Sequence, residues 1–157
     1  MNELVTPIGT LTLRANEQGL QRIEFENSRK DVVFPGTSVS PITKAILQDA
    51  KRQLEEFFAR KRKFFDLPLN YEGTEFQKSV WKELIKIPYG ETVFYKDIAQ
   101  KIGNFRAARA VGLANNKNQI PIIIPCHRVI GSNKSLKGYA SGLKIKKWLL
   151  EHETISI

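Results

Sequence analysis

A single cysteine, Cys126, stands directly beside one of only two histidines, His127, in a chain of 157 residues. A thiolate is a strong nucleophile, and an imidazole is the side chain best suited to take the thiol's proton near neutral pH. Composition alone reads a free cysteine as a small buried hydrophobe. The adjacent base moves the reading towards nucleophilic chemistry without deciding it. An unperturbed thiol titrates near pH ~8.5, so reaction at neutral pH calls for a basic neighbour and cationic surroundings. The other histidine, His152, lies in Trp148-Leu149-Leu150-Glu151-His152-Glu153, a segment with groups able to orient His127. One cysteine forbids an internal disulfide and suits a reducing, cytoplasmic setting. One cysteine and two histidines also argue against a structural zinc site, and no motif asks for a metal or cofactor.

The pair closes the apolar run Ile120-Pro121-Ile122-Ile123-Ile124-Pro125. A run of this length between prolines predicts a short buried strand or extended segment. Pro125 cannot donate to a sheet ladder, so pairing should stop there and the chain turn into a loop carrying Cys126. The following stretch, Ile130 to Gly142, is rich in glycine, serine and lysine and reads as a polar loop beside the nucleophile.

The elements that must position these groups divide the chain in two. Residues 1–66 read as a scaffold. Strands are expected over Thr6 to Phe25 with a turn at Asn16-Glu17-Gln18-Gly19, and a further short strand at Val32-Val33-Phe34. A helix of about five turns then begins at Ser40, an N-cap, with Pro41 at its first position. Ile42, Ile46, Leu47, Leu54, Phe57 and Phe58 are expected on its inner face, and the run Arg60-Lys61-Arg62-Lys63 at its solvated end. Phe64 to Gly73 has the character of a linker. Residues 67–157 are mostly helical. Thr74 and Gln77 form a capping box ahead of Phe76, Val80, Trp81, Leu84, Ile85 and Ile87, and Pro88-Tyr89-Gly90 stops that helix. Two short helices follow around Gly103-Asn104, resembling a helix-turn-helix. Arg106 and Arg109, three apart, are expected to share a face of the second. Leu143 to Glu153 reads as a final helix, with Ile145, Trp148, Leu149 and His152 at helical spacing. The fold class is α+β.

The formal net charge is +9, unevenly spread. Residues 1–66 carry 11 basic and 9 acidic groups, and residues 67–157 carry 14 and 7. A basic C-terminal part favours a polyanionic partner, although a soluble lysine-rich surface looks the same by charge alone. No apolar run approaches membrane-spanning length, and Met1-Asn2-Glu3-Leu4 does not open a signal peptide.

Pro125-Cys126-His127-Arg128-Val129 resembles the active-site signature of the O6-alkylguanine-DNA alkyltransferases, the methylated-DNA-protein-cysteine methyltransferases. The likeness runs strongly over residues 74–153. It implies a ribonuclease H-like N-terminal domain and a monomer that needs no cofactor. Its substrate would be double-stranded DNA containing O6-alkylguanine, O4-alkylthymine being open. Cys126 would accept the alkyl group in one irreversible event. His127 would be its base, Glu153 would orient His127, and Tyr95 would crowd the target phosphate and protonate the departing guanine. Arg106-Ala107-Ala108-Arg109-Ala110-Val111-Gly112 matches the family's recognition helix, which docks in the minor groove. Arg109 would enter the base stack, with Arg106, Lys96, Asn104 and Ser132 on the same DNA surface. Asn118 would tie that helix to the active-site turn. Pro121, Arg128, Val129, Tyr139, Ala140 and Ser141 would shape the pocket; Ser141 stands where relatives often have glycine, and Lys137 where small residues are common, so its width is open.

Two other readings share these residues. A catalytically silent DNA-binding relative, or a helix-turn-helix regulator, would keep Tyr95 and Arg109 but has no need of Cys126. A cysteine hydrolase would use Cys126, His127 and Glu153 but has no need of an arginine-bearing helix.

Overall fold

In a computed structural model of the chain, residues 2–26, 39–132 and 142–154 are described. The chain forms two compact units, residues 1–71 and 72–157.

The first unit is a three-stranded antiparallel meander, β1 (Glu3–Thr6), β2 (Gly9–Asn16) and β3 (Gly19–Phe25), in the order β1-β2-β3. The register pairs Leu4 with Leu11, Leu11 with Phe25 and Leu13 with Ile23, so these side chains fall on one face and are buried. Helix α1 (Pro41–Phe58) packs Ala50, Leu54 and Phe57 against that face. Ser40 caps it as expected, its hydroxyl accepting from the Thr43 amide at 3.2 Å. The inner stripe differs from the expected one: Thr43, Ala50 and Gln53 are buried with Leu54 and Phe57, whereas Ile42 is exposed.

Residues 67–70, expected with the C-terminal part, pair with the sheet. The Leu20 amide donates to the Pro68 carbonyl and the Asn70 amide to the Leu20 carbonyl, both at 2.8 Å. Gly19 permits this approach, because a Cβ there would lie 2.6 Å from the Pro68 oxygen. The division therefore falls at 71/72 and not at 66/67. The strand expected at Val32-Val33-Phe34 lies outside the described residues.

The second unit begins with α2 (Glu75–Ile85), capped reciprocally by Thr74 and Gln77. Val80, Trp81 and Leu84 are buried; Ile85, expected in the stripe, is exposed. Next come β4 (Val93–Phe94), α3 (Tyr95–Lys101) and α4 (Ala108–Asn116). Gly103 supplies the left-handed turn between the two helices, at φ 82°. A single 3-10 turn (Cys126–Arg128), β5 (Val129–Ile130) and α5 (Leu143–Thr154) complete the unit. Among the described residues no helix is long and apolar enough to cross a membrane.

The run before the cysteine is not extended. Ile120 to Ile124 closes as a tight turn: the Ile124 amide donates to the Ile120 carbonyl at 2.9 Å, and Ile122 sits at φ 75°. A left-handed β-branched residue costs about 1–3 kcal/mol. It persists here because Ile120, Ile122 and Ile124 are almost wholly buried, so packing outweighs local preference. Local pattern alone cannot distinguish a buried turn of isoleucines from a buried strand.

Candidate active site and nucleic-acid interface

Parallel pairing of β4 with β5 sets Val93 against Val129 and Phe94 against Ile130. β5 directly follows Cys126–Arg128 and Tyr95 directly follows β4, so two two-residue strands bring Tyr95 to the cysteine turn. Cys126 is 4% exposed and His127 is fully buried. The turn is fixed from α4 by the Asn115 side chain, whose Nδ2 donates to the Cys126 carbonyl at 3.3 Å. It is fixed from the preceding loop by Asn118, whose Nδ2 donates to the Ile124 carbonyl at 2.7 Å while its Oδ1 accepts from the Ile120 amide at 3.0 Å. Trp81 anchors the same end of α4, its indole N–H donating to the Ala114 carbonyl at 2.9 Å.

The acid comes from α5. His127 Nε2 lies 2.8 Å from Glu153 Oε2, with both side chains buried. A carboxylate only accepts, so Nε2 carries the proton, and in the neutral ring Nδ1 holds the lone pair. Nδ1 is buried and has no hydrogen-bond partner among the described residues. Arg128 completes the cluster: its Nε donates to Glu153 Oε1 at 2.6 Å and its Nη1 to the Ile87 carbonyl at 2.7 Å. Burial holds the His127 pKa below its ordinary value, outweighing the stabilising contact with Glu153. Burial pushes the Glu153 carboxyl upward, but hydrogen bonds and charge from His127 and Arg128 together take it below the usual carboxylate range. The resting pair is neutral imidazole and carboxylate. Tyr95 is half-buried, and burial followed by the charge of Cys126 raises its phenol above 10.

The α4 face away from the core carries Arg109, Ala110, Leu113, Asn116 and Lys117, all exposed. Ala107, Val111, Ala114 and Asn115 face inward. Arg106 does not share a helical face with Arg109, because it lies in the turn before α4. Its amide donates to Asn104 Oδ1 at 3.2 Å, which holds it one step short of the helix. Lys96, Asn104 and Ser132 are exposed, with the Lys96 ammonium 5.4 Å from the Phe94 ring centre. Pro121 and Val129 are buried under the turn. Tyr139, Ala140 and Ser141 lie outside the described residues, as do Lys137 and Gly138. His152 stacks on Trp148 at 4.8 Å and takes no part in the His127 contact. Among the described residues no cluster of His, Cys, Asp and Glu could hold a metal ion.

Two buried residues that hold the segment around the cysteine carry no signal in the sequence: Asn115, and Lys146 of α5, whose ammonium donates to the Val129 carbonyl at 2.6 Å. Asn115 reads as one polar residue of an Asn-rich loop, and Lys146 as one of three lysines on a basic helix. Helical register offers a clue for Lys146, three positions before Leu149, but lysine at a core position goes against composition.

Residues 75–155 match the profile of the 6-O-methylguanine DNA methyltransferase DNA binding domain, and residues 4–71 that of the ribonuclease-like domain of the same methyltransferase. The chain is 55% identical over 148 residues to a Methylated-DNA–protein-cysteine methyltransferase of Methanosarcina barkeri, covering 94% of this chain and 92% of the relative. It is 46% identical over 154 residues to the constitutive Methylated-DNA–protein-cysteine methyltransferase of Bacillus subtilis, covering 96% and 93%. The crystal structure of Mycobacterium tuberculosis OGT in complex with DNA superposes with a TM-score of 0.85 at 42% identity, covering 97% of this chain and 91% of that one.

Proposed function

We propose, from the premise that this chain belongs to the 6-O-methylguanine DNA methyltransferase family, that it repairs DNA by moving an alkyl group from the O6 of guanine to Cys126. The observation that carries the reading is the buried Glu153–His127 contact beside the only thiol, with the imidazole's second nitrogen left as a base.

The chemistry follows from these groups. The O6 of a paired guanine is out of reach of a protein sulfur, so the nucleotide must leave the stack at a cost of a few kcal/mol, least for a lesion whose pairing is already weak. Arg109, exposed on α4, fills the gap and offsets part of that cost. His127 Nδ1 takes the Cys126 proton, directly or through one water, and Glu153 steadies the imidazolium that forms. The thiolate displaces guanine from the alkyl carbon: the S–C bond forms, the C–O bond breaks, and its electron pair stays with guanine. Tyr95 donates its proton to the leaving base, and the proton held by His127 restores the phenol. A raised phenol pKa suits a group that must keep its proton until guanine needs it. The thioether product is stable, so each molecule acts once.

O6-alkylguanine as substrate, the monomeric state and a cytoplasmic site of action belong to this proposal. They are supported by the family and by a lone cysteine that forms no disulfide. Incubation with duplex DNA containing O6-methylguanine followed by intact-mass and peptide mass spectrometry tests it. One methyl group per chain, on Cys126, is expected. DNA binding without an adduct would identify a silent relative, and turnover of esters or peptides a hydrolase; either would overturn it.

A further inference from the structure

From Ile98 to Leu150 the chain carries no Asp or Glu, while Lys101, Arg106, Arg109 and Lys117 line the helix-turn-helix. All four are exposed. The exposed stripe of α4 is Arg109, Ala110, Leu113, Asn116 and Lys117, and helical spacing sets Leu113 at its centre, three or four positions from each of the others. Leu113 is 63% exposed, and Val111, Ala114 and Asn115 supply the inward face without it. The turn into the helix holds a second such group. Phe105 is 73% exposed although its backbone is fixed: Asn104 Oδ1 accepts from the Arg106 amide and the Asn104 carbonyl from the Ala107 amide at 3.1 Å. One solvent-facing apolar side chain is ordinary on any surface. Two large ones, four positions before and four after Arg109 on a face free of acidic groups, suit a partner offering negative charge and apolar surface together.

We propose that Leu113 and Phe105 make an apolar contact with duplex DNA to either side of Arg109, so that the duplex is held by desolvated surface as well as by charge. The inference deepens the DNA-repair reading and rests on it for the identity of the partner. A DNA groove offers both chemistries, with phosphates along its rims and sugars and base edges between them. Arg106, Arg109 and Lys117 suit the phosphates and release counterions when they bind. Leucine and phenylalanine suit the surface between, where they release water rather than ions. A second copy of this chain, at a net charge of +9 and with the same acid-free face, offers no such match.

Binding to undamaged duplex tests the contact without any chemistry. Leu113→Asn keeps the side-chain size and removes its apolar character, and Phe105→Ala removes the ring. Each should bind about tenfold more weakly, in line with burial of most of one large apolar side chain. The slope of log Kd on log salt, taken from about 50 to 200 mM, should stay at the wild-type value, because loss of a phosphate contact lowers it by about one. Urea midpoints should not move, since both side chains are exposed. Wild-type affinity in either variant would overturn the proposal, and so would a loss of affinity that comes with a lowered salt slope. A dimer of the free protein, seen in sedimentation and dissolved by Leu113→Asn, would assign the face to a second copy and overturn it too. If affinity falls as stated but wild-type protein takes no methyl group from O6-methylguanine duplex, the apolar contact stands and the alkyl-transfer reading falls.

Discussion

Replacing Glu153 by glutamine keeps the shape of the site and removes one charge. The carboxylate accepts from His127 Nε2 at 2.8 Å and from Arg128 Nε at 2.6 and 3.1 Å, with all three side chains buried. Glutamine has one oxygen for these donors. If that oxygen faces Arg128, its NH2 faces Nε2, which must then accept; the ring proton moves to Nδ1, and the base is lost. If the oxygen faces His127, the NH2 confronts the Arg128 guanidinium. Either way a buried guanidinium loses its counter-charge, a change that costs about 3–5 kcal/mol. That is a large part of the roughly 5–15 kcal/mol that holds a domain together. An acid-to-amide change in a hydrolase triad slows turnover by about 10⁴-fold through the wrong tautomer. Because the site here reacts only once, the loss should appear in the single-turnover rate. Glu153→Gln should fall by about 10²–10⁴ in methyl transfer to duplex DNA, measured by intact mass at excess protein, and lose several kcal/mol in urea unfolding. Adding Arg128→Met should recover part of the stability and none of the rate. A Glu153→Gln protein of wild-type stability and rate would refute both the buried charge pair and the tautomer argument.

Acid should destabilise the second unit in two stages. His127 and Glu153 are both held below their ordinary values of 6.5 and 4.5, so the unfolded chain binds more protons than the folded one in each window. Stability present above pH 6.5 should begin to fall below that value, then fall further below 4.5, read from urea midpoints across the pH series. Asn115→Leu removes the bond to the Cys126 carbonyl together with the buried, unpartnered Asn115 Oδ1, two changes of opposite sign. It should alter unfolding free energy by no more than about 1 kcal/mol, whereas Asn115→Asp, which loses the donor and buries a charge, should cost more. Arg109→Ala should leave stability within about 0.5 kcal/mol, since the side chain is exposed. It should slow repair of duplex more than reaction with free O6-alkylguanine base, and equal losses on both would contradict its role in the stack.

The sequence was most legible where a local rule sufficed. Ser40 with Pro41, and Thr74 with Gln77, mark helix starts because a cap needs only residues within one turn. The neighbours Cys126 and His127 announce themselves in the same way. Legibility ended where tertiary packing overrode local preference. The isoleucine run closes on itself with Ile122 in a left-handed conformation because the surrounding apolar contacts outweigh the strain. Residues 67–70 join the first unit through backbone bonds to Leu20, which no side-chain pattern encodes. Arg106 falls outside α4 because Asn104 captures its amide, a competition that periodicity does not register. Glu153 shows the division most plainly. Its spacing put it at the edge of an apolar stripe, and only resemblance tied it to His127, 26 positions away; the fold brings the two within 2.8 Å.

Consumption of Cys126 is read directly by a repair titration. A fixed amount of O6-methylguanine duplex is mixed with increasing protein, and remaining lesions and methylated Cys126 peptide are counted together. Lesions should fall in proportion to protein added, one for each thioether formed at Cys126, with no further loss over longer times. Lesions removed in excess of protein, or removed while Cys126 stays unmodified, would contradict consumption of Cys126.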